Sequence, residues 1–182
     1  MTVKTPATVD DLYRVGGKAE IVNGEIVHMS PTGRAPGYAG DAITVSLWNY
    51  AKAGGTGIAV GDNKGFRIGL PHRETVSPDA AYYVGPQTGM RFFEGAPRFA
   101  AEVRSEGDYG PAAEADMAAK RADYFAAGTL VVGDVDVLGP DAVRVYRSTA
   151  PDVPVVYRRG DVAEAEPAVP GWRMSVDDLF EE

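Results

Sequence analysis

The sequence predicts an α/β (α+β) protein built on a mixed β-sheet, and three observations support this. The order of local patterns is helix, hairpin, helix, strands, helix, strands. Asn23-Gly24 separates the two alternating arms of AEIVNGEIVHM, which is the strongest short hairpin signal in the chain. Short strand-like segments are divided by turns rich in glycine and proline. A length of 182 residues suits one domain, residues 1–182, with no linker or repeat.

The first third of the chain contains two predicted helices around the hairpin. Thr8 and Asp11 form a capping-box pattern, which predicts a short helix closed by Gly16-Gly17. The prolines and glycines of SPTGRAPG predict a loop that carries Arg34. Apolar spacing in YAGDAITVSLWNYAKAGG then predicts a helix that ends at Gly54-Gly55.

The remainder of the chain alternates between predicted strands and one helix. The helix is expected over residues 112–127, since Gly128 follows it. The tail MSVDDLFEE predicts either a last helical turn or a frayed end. Strands are predicted at 57–60, 65–68, 80–84, 99–103, 129–137, 142–146 and 153–157.

Composition limits the classes of function. The chain has no cysteine, which excludes disulfides, thiolate nucleophiles and cysteine-bound metals and fits a reducing compartment. The N-terminal residues lack a signal-peptide pattern, and no stretch approaches the ~20 apolar residues of a membrane span. We therefore expect a cytoplasmic protein with no membrane partner. A net charge of -8 disfavours bulk electrostatic coating of nucleic acid but allows a local, metal-dependent site.

Several other sites are disfavoured by the same sequence. Two histidines are too few for a histidine-rich metal site, and no nucleophile-elbow motif supports a serine triad. AGGTG lacks the lysine and spacing of a phosphate loop. DVDVLGPD places Leu138 where a calcium loop needs an oxygen ligand, so it is interpreted as a hairpin turn.

Two carboxylates are predicted to meet at the edge of the sheet. SPDAAYYV places Asp79 where a strand begins, and APRFAAEVRSEG places Glu102 near the end of another. If these strands are antiparallel neighbours, Asp79 and Glu102 lie side by side. Two close carboxylates stay ionised together only with a cation or strong donor between them, and magnesium favours such ligands.

Arg104 and Lys120 are the basic candidates near these carboxylates. Strand alternation puts Arg104 on the same face as Glu102, where it could form a plain ion pair with Glu102 or contact a phosphate bidentately. Lys120 falls in one helical arc of roughly 60° with Ala113, Met117 and Tyr124. The alternative is that an alanine-rich face is buried instead and that Lys120 is simply solvated.

Four segments, in this order and spacing, resemble the Uma-type family of putative restriction endonucleases, formerly a domain of unknown function. They are AEIVNGEIVHMSP, SPDAAYYV, GAPRFAAEVRS and KRADYFAAG, and the resemblance extends from about Asp10 to Phe180. That family belongs to the PD-(D/E)XK nuclease superfamily. The resemblance therefore implies a restriction-endonuclease-like fold, in which helices flank a mixed sheet and an aspartate, a second acid and a lysine surround magnesium.

The resemblance implies specific roles for residues of this chain. Asp79 and Glu102 are expected to be catalytic and to bind Mg²⁺ or Mn²⁺, with Glu20 as a further metal ligand. Arg104 stands where the superfamily usually has lysine, and arginine does not readily lose a proton. Lys120 matches the lysine that the Uma-type family places on the following helix, so it is the expected catalytic lysine. Arg104 and Arg34 are the expected substrate contacts.

The expected activity is metal-dependent hydrolysis of phosphodiester bonds in nucleic acid, with DNA favoured. The alternative is a non-catalytic module of the same fold that binds protein or nucleic acid, which Arg104 and the negative charge favour slightly. A homodimer is a reasonable expectation, because two sites make it easier to cut both strands of a duplex.

Overall fold

The structure is a computed structural model that describes residues 5–181. Its helices are α1 (Val9–Leu12), α2 (Arg34–Lys52) and α3 (Pro111–Ala126), and a 3₁₀ turn spans Val176–Leu179. The strands are β1 (Ala19–Val22), β2 (Glu25–His28), β3 (Ile58–Gly61), β4 (Phe66–Leu70), β5 (Arg73–Val76), β6 (Ala80–Tyr83), β7 (Phe93–Glu94), β8 (Phe99–Val103), β9 (Val131–Val135), β10 (Val143–Arg147), β11 (Ala150–Tyr157), β12 (Val162–Glu164) and β13 (Arg173–Ser175).

A six-stranded mixed sheet forms the centre of the fold, in the order β11-β10-β9-β8-β6-β3. Strands β8 and β9 are parallel, while the other neighbours in this sheet are antiparallel. A five-stranded sheet follows the order β2-β1-β5-β4-β7, and β12 pairs with β13. The predicted mixed α/β (α+β) class is confirmed.

Side-chain alternation in β8 divides the core between the two faces of the central sheet. Phe99 and Ala101 pack with Ile43 and Leu47 of α2 on one face. Ala100 belongs to a second apolar cluster that contains Tyr124 of α3. The two helices therefore cover opposite faces, and β8 presents residues to both.

The predicted hairpin is confirmed as β1 and β2, with Ile21 opposite Ile26. Asn23 and Gly24 both adopt positive φ, at 52° and 74°, as the mirror-image hairpin turn requires. The Thr8 capping box is also confirmed, because Thr8 and Asp11 exchange side-chain-to-backbone hydrogen bonds. The hairpin fixes the position of Glu20 relative to the central sheet.

The predicted loop around Arg34 is wrong, because Arg34 is the first residue of α2. Pro36 lies in the first turn, where backbone N–H groups have no partner within the helix, so its missing N–H costs nothing there. Arg34 Nε donates to Glu181 Oε1 at 3.1 Å, and 86% of the arginine side chain is exposed. Among residues 5–181, no helix is both long and apolar enough to cross a membrane.

Candidate active site

Asp79 and Glu102 lie on neighbouring antiparallel strands, as the sequence predicted. Ala80 pairs with Ala101 and Ala81 with Ala100, so the same register carried one step further sets Asp79 opposite Glu102. The Asp79 backbone N–H donates to the Ala101 carbonyl at 3.1 Å. The two carboxylates therefore belong to one edge of the central sheet.

Asp79 is held by one backbone donor and one ammonium. Its Oδ2 accepts a hydrogen bond from the Val103 N–H at 2.7 Å, and its Oδ1 lies 2.7 Å from Lys18 Nζ. Gly40 of α2 packs close by, since a Cβ there would lie 3.7 Å from Asp79 Cβ. The aspartate at the start of β6 thus ties that strand to β8 and faces a cation.

Lys18 bridges two carboxylates at the entrance to β1. Its Nζ lies 2.7 Å from Asp62 Oδ1 as well as 2.7 Å from Asp79 Oδ1, and its side chain is 12% exposed. Burial opposes its charge, but the charges of Asp79 and Glu102 outweigh burial and raise the pKa of Lys18. Lys18 therefore carries a positive charge inside the acidic site.

Lys120 reaches the same site from α3. Its Nζ lies 2.9 Å from Glu102 Oε1 and 3.0 Å from Glu20 Oε1, so it does not point to bulk solvent. Burial opposes the ammonium charge, but Glu102 and Glu20 overcome it and raise the pKa of Lys120. The predicted stripe of Met117, Lys120 and Tyr124 faces the protein interior, whereas the alternative alanine face is exposed.

Glu102 receives a second donor from the same helix. Tyr124 Oη donates to Glu102 Oε1 at 2.6 Å, which lies within the range for a strong hydrogen bond to a carboxylate. Burial raises the pKa of Glu102, and the neighbouring Asp79 and Glu20 charges add to the rise while Lys120 opposes it. Burial also raises the pKa of Tyr124 well above its ordinary value. Tyr124 is thus a hydrogen-bond donor at neutral pH.

Glu20 is buried, and each of its two carboxylate oxygens accepts at least one hydrogen bond. Its Oε1 faces Lys120 and accepts the Ser77 N–H at 2.8 Å, while its Oε2 accepts from Arg73 Nη1 at 2.8 Å. Arg73 Nε in turn donates to Asp123 Oδ2 at 2.7 Å. Glu20 therefore faces the candidate site, as the family resemblance implied, and it orients Lys120.

Arg104 pairs with Asp134 and Glu114, so the ion pair with Glu102, one of the two alternatives that the sequence left open, is not formed. Its Nε and Nη2 donate to the two oxygens of Asp134 at 2.8 and 2.7 Å, and Nη1 contacts Glu114. These partners raise the pKa of the buried Arg104 side chain. The register of β8 with β9 sets Glu102 beside Asp134, which brings the Asp134 carboxylate to the face that Arg104 shares.

The carboxylate oxygens of the site are the type of ligand that a hard divalent ion prefers. Within the described part of the chain, no group of three or more acidic or histidine side chains is arranged as a metal cage. Magnesium does not need one, since it is commonly bound by one or two carboxylates with waters and a substrate phosphate. Asp79 and Glu102, on adjacent strands, supply such a pair.

Sequence reasoning missed Lys18, Asp62, Arg73 and Asp123. A usable signal existed for Lys18, because strand alternation places it on the face of Glu20, two residues later. Asp62 follows β3 and Arg73 is the first residue of β5, and their partners lie on other elements. No local pattern in the sequence indicates those contacts.

A mixed central sheet covered by a helix on each face is the fold class of a restriction-endonuclease-like protein. The sequence profile of Uma2, described as "Putative restriction endonuclease", matches residues 7–177, so the chain belongs to that family. The resemblance inferred from four motifs is thereby confirmed.

A solved structure supports the fold independently. The chain is similar to a putative nuclease of the DUF820 family from Anabaena variabilis ATCC 29413, known from a crystal structure. The TM-score is 0.72 at 16% sequence identity, and the alignment covers 96% of this chain and 98% of that one. A comparison with curated proteins finds no match.

Proposed function

We propose that this chain is a divalent-metal-dependent endonuclease that hydrolyses phosphodiester bonds of DNA at the site formed by Asp79, Glu102 and Lys120. The observation that carries the proposal is the convergence of Lys120, 2.9 Å from Glu102, on a carboxylate that lies opposite Asp79. Two acids and a lysine are the groups that the family resemblance implies for metal-dependent hydrolysis, and here they come from two strands and a helix.

Asp79 and Glu102 are the residues that would hold Mg²⁺ or Mn²⁺. When bound, such an ion would polarise the scissile phosphate and lower the pKa of a bound water. Lys120 keeps its proton, because its raised pKa holds it charged at neutral pH. It would therefore act by orienting water and by offsetting negative charge on the phosphate, not as a general base.

Glu20 and Tyr124 position the reacting groups in this proposal. Glu20 fixes Lys120 from the side opposite Glu102, and both of its oxygens are already engaged by donors. We therefore assign Glu20 to anchoring Lys120 in place of the metal-ligand role. Tyr124 fixes one oxygen of Glu102, which leaves the other oxygen for a cation.

Arg34 and Arg104 differ sharply as substrate contacts. Arg34 is highly exposed at the start of α2, so its guanidinium can exchange Glu181 for a backbone phosphate. Every nitrogen of the Arg104 guanidinium is engaged by Asp134 or Glu114. We therefore retain Arg34 as a phosphate contact and assign Arg104 to holding β8, β9 and α3 together.

A non-catalytic binding module is the second candidate. The observation that favours it is that Asp79 and Glu102 are already neutralised by Lys18 and Lys120 within the protein. A module of this kind would need no metal. A test for metal-dependent cleavage therefore distinguishes the nuclease from the binding module.

The test is cleavage of supercoiled plasmid and of a matched RNA by the purified protein with Mg²⁺, with Mn²⁺ and with EDTA. We expect nicking of DNA that needs the ion and is lost in Glu102→Gln. Asp178→Asn, in the C-terminal turn, is the matched control and should cleave normally. Metal-independent cleavage, or equal cleavage by Glu102→Gln, would contradict the assignment, while RNA cleavage alone would move the substrate to RNA. Sedimentation with and without a DNA duplex would test whether two copies assemble on it.

A further inference from the structure

The Lys18 ammonium lies between the carboxylates of Asp79 and Asp62. It lies 2.7 Å from an oxygen of Asp79 and 2.7 Å from an oxygen of Asp62, and Glu102 acts on it electrostatically. The other oxygen of Asp79 is engaged by the Val103 N–H. The oxygen of Asp79 that is left to face a cation is therefore the one that Lys18 already holds.

We propose that Lys18 is an internal counter-ion that a divalent metal must displace from Asp79, and that Asp62 retains the displaced ammonium. The inference rests on the proposed function, since it assumes that Asp79 binds the ion. It adds a positioning residue from outside the proposed triad of Asp79, Glu102 and Lys120, and it explains how the carboxylates are kept together without metal.

Charge balance favours this arrangement. The ion-pair network of the site contains five carboxylates, Glu20, Asp62, Asp79, Glu102 and Asp123, and three cations, Lys18, Arg73 and Lys120. Fully ionised, and with His72 beside Asp123 neutral, the network carries two surplus negative charges. One divalent ion would balance them, provided that Lys18 remains nearby on Asp62.

The two carboxylates that Lys18 contacts differ in exposure, which favours the exchange. Asp62 is 39% exposed in its side chain, whereas Asp79 is 14% exposed and is also fixed by Val103. The lysine side chain has a flexible stem and a compact charge. The Lys18 ammonium can therefore leave Asp79 and keep its contact with Asp62 by rotation of the side chain alone. Asp79 can stay in place while its partner changes.

The first test is calorimetric titration of Mn²⁺ into the protein, without nucleic acid. A competing positive charge a few ångströms away weakens cation binding, so we expect Lys18→Met and Lys18→Gln to bind Mn²⁺ about tenfold more tightly than wild type. Lys18→Arg keeps the charge and should not bind more tightly. Lys52→Met is the matched control, because Lys52 lies over the Trp48 ring, and it should bind as wild type does.

Stability without metal gives a second readout. In EDTA, Lys18→Met should melt at lower temperature than wild type, since Asp62 and Asp79 lose their shared cation. Saturating Mn²⁺ should raise its melting temperature more than that of wild type. A plain structural role would lower stability without tightening metal binding, so a Lys18→Met protein with equal or weaker affinity would overturn the proposal.

Asp62→Asn tests the retaining role. It removes a nearby negative charge, so it should weaken Mn²⁺ binding in both backgrounds, but by more in the wild-type background, where Lys18 also loses its alternative partner. Equal weakening in the two backgrounds would overturn the retaining role.

Failure of this inference can be distinguished from failure of the proposed function. If Asp79→Asn abolishes Mn²⁺ binding while Lys18→Met leaves the affinity unchanged, the inference fails and the metal site stands. If Lys18→Met binds Mn²⁺ more tightly through Asp79 but no variant cleaves DNA, the inference stands and the nuclease assignment fails. If neither wild type nor Lys18→Met binds Mn²⁺, both are wrong.

Discussion

Lys120 of α3 and Glu102 of β8 form an ion pair of 2.9 Å beneath the helix. The same ammonium contacts Glu20 on β1, so one lysine joins the helix to both large sheets. Tyr124, one helical turn further on, donates to the same oxygen of Glu102. Lys120, which is proposed to act on the substrate, therefore also holds α3 against the two large sheets.

Replacing Lys120 by methionine should affect both stability and activity. Glu20 is 3% exposed and would lose one of its two counter-ions while Arg73 remains, and loss of a hydrogen bond to a buried charged group costs about 2 kcal/mol. We expect that loss in the free energy of unfolding, measured by denaturant titration, together with loss of metal-dependent nicking. Lys52→Met should change neither. A stable Lys120→Met protein that still cleaves DNA would exclude Lys120 from the site.

Arg104→Met tests the structural assignment of Arg104. Asp134 is buried and would be left without its bidentate partner, so the free energy of unfolding should fall by about 3 kcal/mol. The variant that remains folded should bind a DNA duplex with an affinity within twofold of wild type, which corresponds to about 0.4 kcal/mol. Fluorescence anisotropy at low temperature measures this affinity. A large fall in affinity with unchanged stability would return Arg104 to the substrate contacts.

Arg34→Ala should show the opposite pattern. The Arg34–Glu181 pair is exposed, so its loss should change stability by less than about 0.5 kcal/mol. If Arg34 binds a phosphate, the affinity for DNA should fall, and the slope of log affinity against log salt should decrease by about 1. Glu181→Gln is the control for loss of the pair alone. Identical salt slopes for wild type and Arg34→Ala would rule out a phosphate contact.

Tyr109 provides a test at alkaline pH, away from the proposed active site. Burial and the hydrogen bond from Tyr109 Oη to Asp136 raise the pKa of Tyr109 to about 12. Between about pH 10, where an unfolded tyrosine ionises, and pH 12 the folded state holds the extra proton. Its contribution to stability is therefore complete below that window and is lost as pH rises through it.

Tyr109→Phe should remove this dependence. Wild type should lose more stability than the variant between pH 10 and pH 12. Ultraviolet titration should show one fewer tyrosine with a raised pKa in the variant than in wild type. Asp136→Asn should lower the pKa of Tyr109, because the carboxylate charge helps to hold the proton. Equal alkaline profiles for wild type and Tyr109→Phe would contradict this coupling.

Prediction from sequence succeeded where the determinant was local or periodic. The Asn23-Gly24 turn, the capping box and the start of β6 at Asp79 depend on neighbouring residues. Alternation in β8 also gave the correct face for Arg104, since both Arg104 and Glu102 contact α3. The possible ion pair between them is not formed, because Arg104 pairs with Asp134 of the parallel neighbour β9, and nothing local specifies which strand lies there.

The rest of the site depends on contacts between distant elements. Lys18 and Asp62 meet only when the hairpin sheet packs beside β3 and β6. The start of α2 at Arg34 was missed because a segment with proline in its first helical turn has the same residue composition as a loop. Long-range packing, not residue type, decided these features.

The most direct test of the central claim is Mg²⁺ titration of wild type and Asp79→Asn, by calorimetry and then by nicking of supercoiled plasmid. Asparagine keeps the shape of the side chain and removes the charge that would bind the ion. We predict that wild type binds Mg²⁺ and nicks the plasmid, and that Asp79→Asn, folded by circular dichroism, does neither. Equal binding and equal nicking by the two proteins would contradict the metal-nuclease account and leave Asp79 as a structural link between β6, β8 and Lys18.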